Sequence, residues 1–135
     1  MLSKPEISRY SRQLLLPEIG YDGQEKLKSA RILVVGAGGL GCAVLPALAS
    51  AGVGVIGVID FDTVEQHNLQ RQFLFTGRDV GRPKAIAARE RLELMNPYVQ
   101  IEALMIVSRE TMPNRSPGDT ISLLIVLTTW KHATS

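Results

Sequence analysis

Three sets of residues have types and spacings suited to chemistry on a phosphorylated ligand. Gly36-Ala37-Gly38-Gly39-Leu40-Gly41 follows a short apolar run and opens a helical pattern. In such a turn the first glycine, Gly36, permits a tight bend, the second, Gly38, leaves room for a phosphate against the backbone, and the last, Gly41, lets helix and strand pack closely. Amides at the helix start then face the anion, helped by the helix dipole. Asp60 lies 19 residues after Gly41, at the end of the next apolar run, where a carboxylate can accept hydrogen bonds from both ribose hydroxyls. Asp62, two residues on, is suited to capping a following short helix. The plain alternatives are a ligand-free turn and a surface acid. Taken together, these features fit either a dinucleotide or a mononucleotide such as ATP.

Two cations separate those options. Arg71 lies in Asn68-Leu69-Gln70-Arg71-Gln72, and Lys84 lies in Gly81-Arg82-Pro83-Lys84 at a helix start. A triphosphate needs cations as well as amides. A lysine in the first turn opposes the helix dipole, so Lys84 points to a ligand. Arg78 and Arg82 read as ordinary solvated charges.

The elements that must position these groups are legible from periodicity. Ile32–Val35 is a β-branched run of the kind that forms a buried strand. Leu40–Ala51 is small and apolar at helical spacing and ends at Gly52, and Val53–Ile59 is a second strand. This is a βαβ unit. The run from Ile32 to Ile59 has 28 residues without a charge, but its seven glycines and Pro46 break it into pieces too short to span a bilayer. Helices are expected at Ser8–Leu16, at Asp22–Lys28 with Asp22 as N-cap, and at Pro83–Met95, and a short one within Val64–Phe75. Val99–Met105 and Ile121–Leu127 read as further strands, and Thr111–Asp119 as a loop. The predicted fold class is α/β, a Rossmann-like, mostly parallel sheet with helices on both faces.

Composition sets limits. The chain has 135 residues, 45% hydrophobic and 21% charged, which suits one globular domain. A net charge of +2 gives no reason to expect nucleic-acid or membrane partners. The one cysteine, Cys42, excludes an internal disulfide and a multi-cysteine zinc site, and it reads as a small core side chain. The polar Met1–Arg12 stretch has no apolar core of a secretory signal, so a reducing, cytoplasmic compartment is expected.

Five motifs occur in one order: Arg9-Tyr10-Ser11-Arg12-Gln13, the glycine turn, Asp60-Phe61-Asp62-Thr63-Val64, Asn68-Leu69-Gln70-Arg71-Gln72 and Val80-Gly81-Arg82-Pro83-Lys84. From Ser8 to Ala103 the sequence resembles the ThiF/MoeB/HesA family, relatives of the ubiquitin-activating enzymes. The resemblance implies ATP-dependent adenylylation of the C-terminal glycine of a ubiquitin-like sulfur-carrier protein, giving an acyl-adenylate and pyrophosphate. It places Gly36, Gly38, Gly39, Gly41, Asp60, Asp62, Asn68, Arg71, Gln72 and Lys84 around the nucleotide, with Gly39 under the phosphates and Asp60 on the ribose. Arg71 and Lys84 would act catalytically with Asn68 on the phosphates. Arg12 would act in trans within a homodimer. His67 takes a position usually small or polar in the family, is read as exposed, and is given no catalytic role.

The sequence also departs from the pattern. The family strand ending in Asp-Cys-Thr-Asp-Asn, whose later aspartate binds Mg2+, corresponds here to Leu124-Ile125-Val126-Leu127-Thr128-Thr129, and the paired Cys-x-x-Cys zinc motifs are absent. Permitted codons for Leu124–Ala133, read in triplets that begin one base earlier, allow Asp-Cys-Ser-Asp-Asn-Met-Glu-Thr-Arg, which points to a frameshift. The expectation is a family fragment truncated on its C-terminal side and inactive as it stands: helical residues 1–30, a nucleotide-binding unit 31–127 and a tail 128–135. The other readings are an NAD-dependent oxidoreductase domain and a non-catalytic fragment that binds nucleotide or a partner.

Overall fold

The structure, a computed structural model, describes residues 1–104 and the backbone of 124–127. The element order is α1 (Lys4–Arg9), α2 (Ser11–Leu14), α3 (Gly20–Ser29), β1 (Arg31–Val35), α4 (Gly39–Ala51), β2 (Val55–Ile59), α5 (Lys84–Met95), β3 (Gln100–Leu104) and β4 (Leu124–Leu127). Short 3-10 turns lie at Gln66–Asn68 and Gly77–Asp79. The loop Thr111–Asp119, residues 121–123 of the fourth predicted strand and the tail 128–135 lie outside the described residues.

The sheet order is β3-β2-β1-β4. β1, β2 and β3 are parallel, with Val35 opposite Ile59 and Ile59 opposite Leu104, so their C-terminal ends share one edge. The α/β, Rossmann-like class holds. Strand alternation sends Ile32, Val34, Ile56, Val58 and Ile101 to one face. There they form one core with Leu45 and Ala49 of α4 and with Ala85, Ala88 and Leu92 of α5. These two helices contact each other and the same face of the sheet.

β4 runs antiparallel to β1, with Leu124 opposite Val35 and Leu127 opposite Ile32. A parallel return would need a long crossover, usually a helix, whereas an antiparallel strand needs none. Between β3 and β4 the sequence has Pro113, Pro117 and Gly118 and no amphipathic pattern. By its register, Leu127 lies at the end of the sheet opposite the edge shared by the parallel strands.

The N-terminal helices grip the far end of α4. Gln13 Nε2 and Gln24 Nε2 both donate to the carbonyl of Ala51, at 3.2 and 2.9 Å. Asn96 Nδ2 donates to the Ala49 carbonyl and to the Tyr10 hydroxyl, at 2.7 and 2.8 Å. Gly54 N–H donates to Leu27 O, and a Cβ at Gly54 would fall 1.7 Å from Lys28 O. β2 therefore begins at Val55, two residues later than the predicted Val53. The expected helix Ser8–Leu16 breaks at Tyr10, whose ring is buried. α1 is an additional helix, started by a reciprocal Ser3–Glu6 capping box. Asp22 lies inside the first turn of α3 and is not its cap.

Glu6 is buried and meets Lys28 Nζ at 2.8 Å. Burial raises the pKa of its carboxyl, but hydrogen bonds from Lys28 and Ser3 outweigh that and hold it below the ordinary carboxylate value. A carboxyl depressed in the folded state stabilises the fold above its unfolded pKa, and loses that contribution as pH falls through the folded value. Glu6→Gln is expected to cost about 1–2 kcal/mol at pH 7. In denaturant titrations its difference from the parent should close as pH drops from about 5 to below 4. A difference constant over that range would refute the assignment.

Candidate functional site

The site lies where β1 and β2 end side by side. Gly36 has φ +100°, and its N–H donates to Ile59 O at 2.7 Å. Such a φ is the reason for glycine here. A Cβ at Gly41 would sit 2.2 Å from Gly36 O, so the first turn of α4 closes directly on the loop. At Gly39 nothing lies within 4 Å of a Cβ position, and at Gly38 only Gln72 Nε2 approaches, at 4.0 Å. α4 has Gly38 as N-cap and no side-chain cap. The amides of its first turn therefore point into open space without a helical partner.

Asp60 accepts from Ala37 N–H through Oδ2 and from Asp62 N–H through Oδ1, both at 2.7 Å. A carboxylate has about four lone-pair positions, so two remain for a ligand's hydroxyls. Asp62 is exposed and does not cap the next turn, because Glu65 does so with Asn68 in a reciprocal box. The carbonyl of Asp62 instead accepts Lys84 N–H at 2.9 Å, beside a Thr63–Pro83 bridge. That pairing brings the start of α5 to the glycine turn.

Lys84 is the first residue of α5 and is 6% exposed. Its ammonium has no hydrogen bond or ion pair among the described residues. Cys42 lies beneath the same turn, with Sγ 3.3 Å from Ala37 O. Burial pushes its thiol up to about 11, against smaller opposing pulls, first from a hydrogen bond with the Leu74 backbone and then from Lys84. The Gln72 side chain is buried beside Gly38, and its Oε1 has no partner among the described residues.

The structure thus brings together Gly36, Gly38, Gly39, Gly41, Asp60, Asp62, Gln72 and Lys84. Asn68 is buried in the adjoining turn, with Oδ1 accepting from Glu65 N–H at 2.9 Å. Arg71 is exposed, and its Nη1 donates to His67 O at 3.2 Å rather than to the glycine turn. Arg12 is exposed on α2, next to Gln13. It therefore lies by the C-terminal end of α4, roughly 18 Å along the helix from Gly39. Within one chain it does not join the other residues. Arg82 is not merely solvated, since it donates to Glu90 through both Nη atoms and to Asp79. The sequence analysis missed the contacts among Glu65, His67 and Asn68, whose one sequence signal is the close spacing of three polar side chains. Among the described residues no group of three or more His, Cys, Asp or Glu side chains could hold a metal ion. No helix among them is long and apolar enough to cross a membrane.

Parallel strands, an uncapped glycine turn at their C-terminal edge and an acid closing that turn define a Rossmann-like unit. The chain belongs to the ThiF family, which matches residues 10–115. It is 54% identical over 101 residues to a sulfur carrier protein adenylyltransferase of Thermus thermophilus, covering 75% of this chain and 37% of the relative. It is 52% identical over 100 residues to the molybdopterin-synthase adenylyltransferase of Escherichia coli, covering 74% of this chain and 40% of the relative. Among solved structures, E. coli tRNA N6-threonylcarbamoyladenosine dehydratase in complex with ATP superposes with TM-score 0.71 at 32% identity, over 77% of this chain and 42% of that one. E. coli MccB with ATP superposes with TM-score 0.66 at 37% identity, over 71% of this chain and 30% of that one. The chain spans about two-fifths of the length of the curated relatives it matches.

The buried thiol yields a direct check. With its pKa near 11, Cys42 should react with a thiol reagent at pH 8 at least a hundred-fold more slowly in the native chain than in denaturant. Labelling at equal rates would refute the buried placement.

Proposed function

We propose that this chain carries the nucleotide-binding half of an adenylyltransferase acting on the C-terminal glycine of a ubiquitin-like sulfur-carrier protein, with ATP as co-substrate. The observation that carries the reading is Lys84, a buried cation with no counter-ion among the described residues, beside the uncapped start of α4. Desolvating an ammonium without a partner is unfavourable. A polyanion on the α4 amides would supply that partner. A pyrophosphate bridge could occupy the amides alone, but the third phosphate gives Lys84 and Arg71 something to neutralise.

In this reading the phosphates lie on the first-turn amides of α4 over Gly38 and Gly39, and Asp60 takes the ribose hydroxyls with its two remaining lone-pair positions. The carrier's carboxylate attacks the α-phosphorus, the bond to the bridging oxygen breaks, and pyrophosphate leaves with the electron pair. Lys84, Arg71 and Asn68 stabilise the charge on that leaving group. Asp62 and Gln72 line the same cradle. Arg12 enters the site of a second copy in a homodimer, which agrees with its distance from the site of its own chain. The compartment proposed is the cytoplasm. Leu124–Thr129 has no carboxylate to hold a metal against the phosphates, so carrier-dependent exchange by these 135 residues is expected to be negligible while nucleotide binding persists.

Calorimetric titration tests this. ATP should bind and NAD should bind more weakly. Lys84→Ala should weaken ATP binding roughly ten- to a hundred-fold, the loss of one charge-assisted contact, with little change in stability. Stronger binding of NAD, or unaltered ATP affinity in Lys84→Ala, would overturn the proposal. Robust carrier-dependent ATP–pyrophosphate exchange by the 135-residue chain would overturn its last part.

A further inference from the structure

His67 has no part in the chemistry above, yet its surroundings connect it to two residues that do. Asn68 Oδ1 meets Glu65 N at 2.9 Å. A backbone N–H can only donate, so that side-chain atom must be the oxygen, and the other must be Nδ2, which also only donates. Nδ2 faces His67 Nδ1 at 3.4 Å. That contact is favourable only while Nδ1 carries no proton. The other ring nitrogen, Nε2, contacts the Glu65 carboxylate, which calls for a proton there. A ring with its hydrogen on Nε2 and Nδ1 bare satisfies both contacts. The charged groups facing His67 are Glu65 and Arg71, whose Nη1 donates to the His67 carbonyl.

We propose that His67 is a positioning residue that engages Asn68 through its bare Nδ1, and that proton uptake on this nitrogen tightens polyphosphate binding at the adjoining loop. The inference rests on the nucleotide reading above. A protonated Nδ1 and Asn68 Nδ2 are both donors and must part. The His67 side chain is 67% exposed, so it can turn outward, while Asn68 stays anchored through Oδ1. Both Nδ2 hydrogens are then available to a phosphate. The loop that carries Arg71 also gains a positive charge. The two effects have the same sign, so affinity rises as pH falls through the range in which imidazoles titrate. By linkage, bound ATP raises the proton affinity of His67.

The test uses the 135-residue chain with ATP as probe. The chain has two histidines, and His67→Ser assigns the NMR signal of His67. ATP should move the titration midpoint of that signal upward. Between pH 8 and 5.5 the affinity for ATP should improve roughly two- to five-fold more in the parent than in His67→Ser, the size of one exposed charge interaction. The ligand's own titration is common to both proteins and cancels. His67→Asn can still offer Nδ2 a neutral acceptor, so it should match the parent at pH 8 and lack the gain at pH 5.5. ATP binding with the same pH dependence in all three proteins, or an unmoved midpoint, would overturn this inference alone. Absence of ATP binding at every pH would overturn the nucleotide reading and this inference with it.

Discussion

The Asp60 carboxylate joins two backbone amides, Ala37 N–H and Asp62 N–H, at 2.7 Å each, and the rest of the site depends on that clamp. Pairing of β1 with β2 puts Val35 beside Ile59, so the next residues, Gly36 and Asp60, leave the sheet at one edge. Strand pairing alone would leave the loop after β1 free to turn either way. Hydrogen bonds to a charged acceptor contribute about 1.5–3 kcal/mol each, enough to select one turn geometry. With the turn held by an acid from β2, the amides of α4 are not needed to close it and stay uncapped. The same clamp sets Asp62, whose carbonyl receives Lys84 N–H. One carboxylate thus orients the uncapped end of α4 and the cation-bearing start of α5.

The two ends of α4 serve different purposes. At its start, glycines keep side chains away, and a Cβ at Gly39 would meet nothing within 4 Å. At its end the space is filled. Gly52 has φ +92°, and a Cβ there would lie 2.5 Å from Gln24 Nε2, which itself donates to Ala51 O. Asn96 and Tyr10 complete the same junction. The last carbonyls of a helix have no partner within it, and here side chains from three other segments supply them. The anchoring interactions lie roughly 18 Å from the glycine turn along a stiff helix. Changes that loosen the turn for a ligand therefore need not loosen the fold.

Much of this was legible in the sequence because it depends on local pattern. The β-branched run at Ile32–Val35, the glycine turn, the end of α4 at Gly52 and the amphipathic helix after Pro83 all appear near their expected places. Lys84 opposes the helix dipole, which marks it in the sequence, and it is buried with no side-chain partner among the described residues. What sequence pattern did not reveal depends on contacts distant along the chain. Tyr10 breaks the first predicted helix because its ring docks against Asn96, 86 residues away. Val53 and Gly54 look like strand but are held by Leu48 and Leu27. Arg82 looked solvated because Glu90, its main partner, lies two helical turns further on. The antiparallel direction of β4 is likewise not visible in strand composition.

The two cations differ in how far they are prepared. Lys84 has its backbone N–H tied to Asp62 and its side chain buried, so little side-chain freedom remains to be lost when an anion arrives. Arg71 is exposed and rests on the His67 carbonyl through one bond of 3.2 Å. Exchanging that neutral acceptor for a phosphate gives up about 1 kcal/mol and gains a charge-assisted, often bidentate contact that is stronger. The exchange is favourable only after the anion is present, and it moves the guanidinium without disturbing the core. Lys84 and the α4 amides would therefore receive the phosphates first, and Arg71 would follow. The adjustable part of the site is then the stretch from Glu65 to Gln72. Within it the His67 ring contacts Glu65 and Asn68, while the His67 carbonyl holds Arg71.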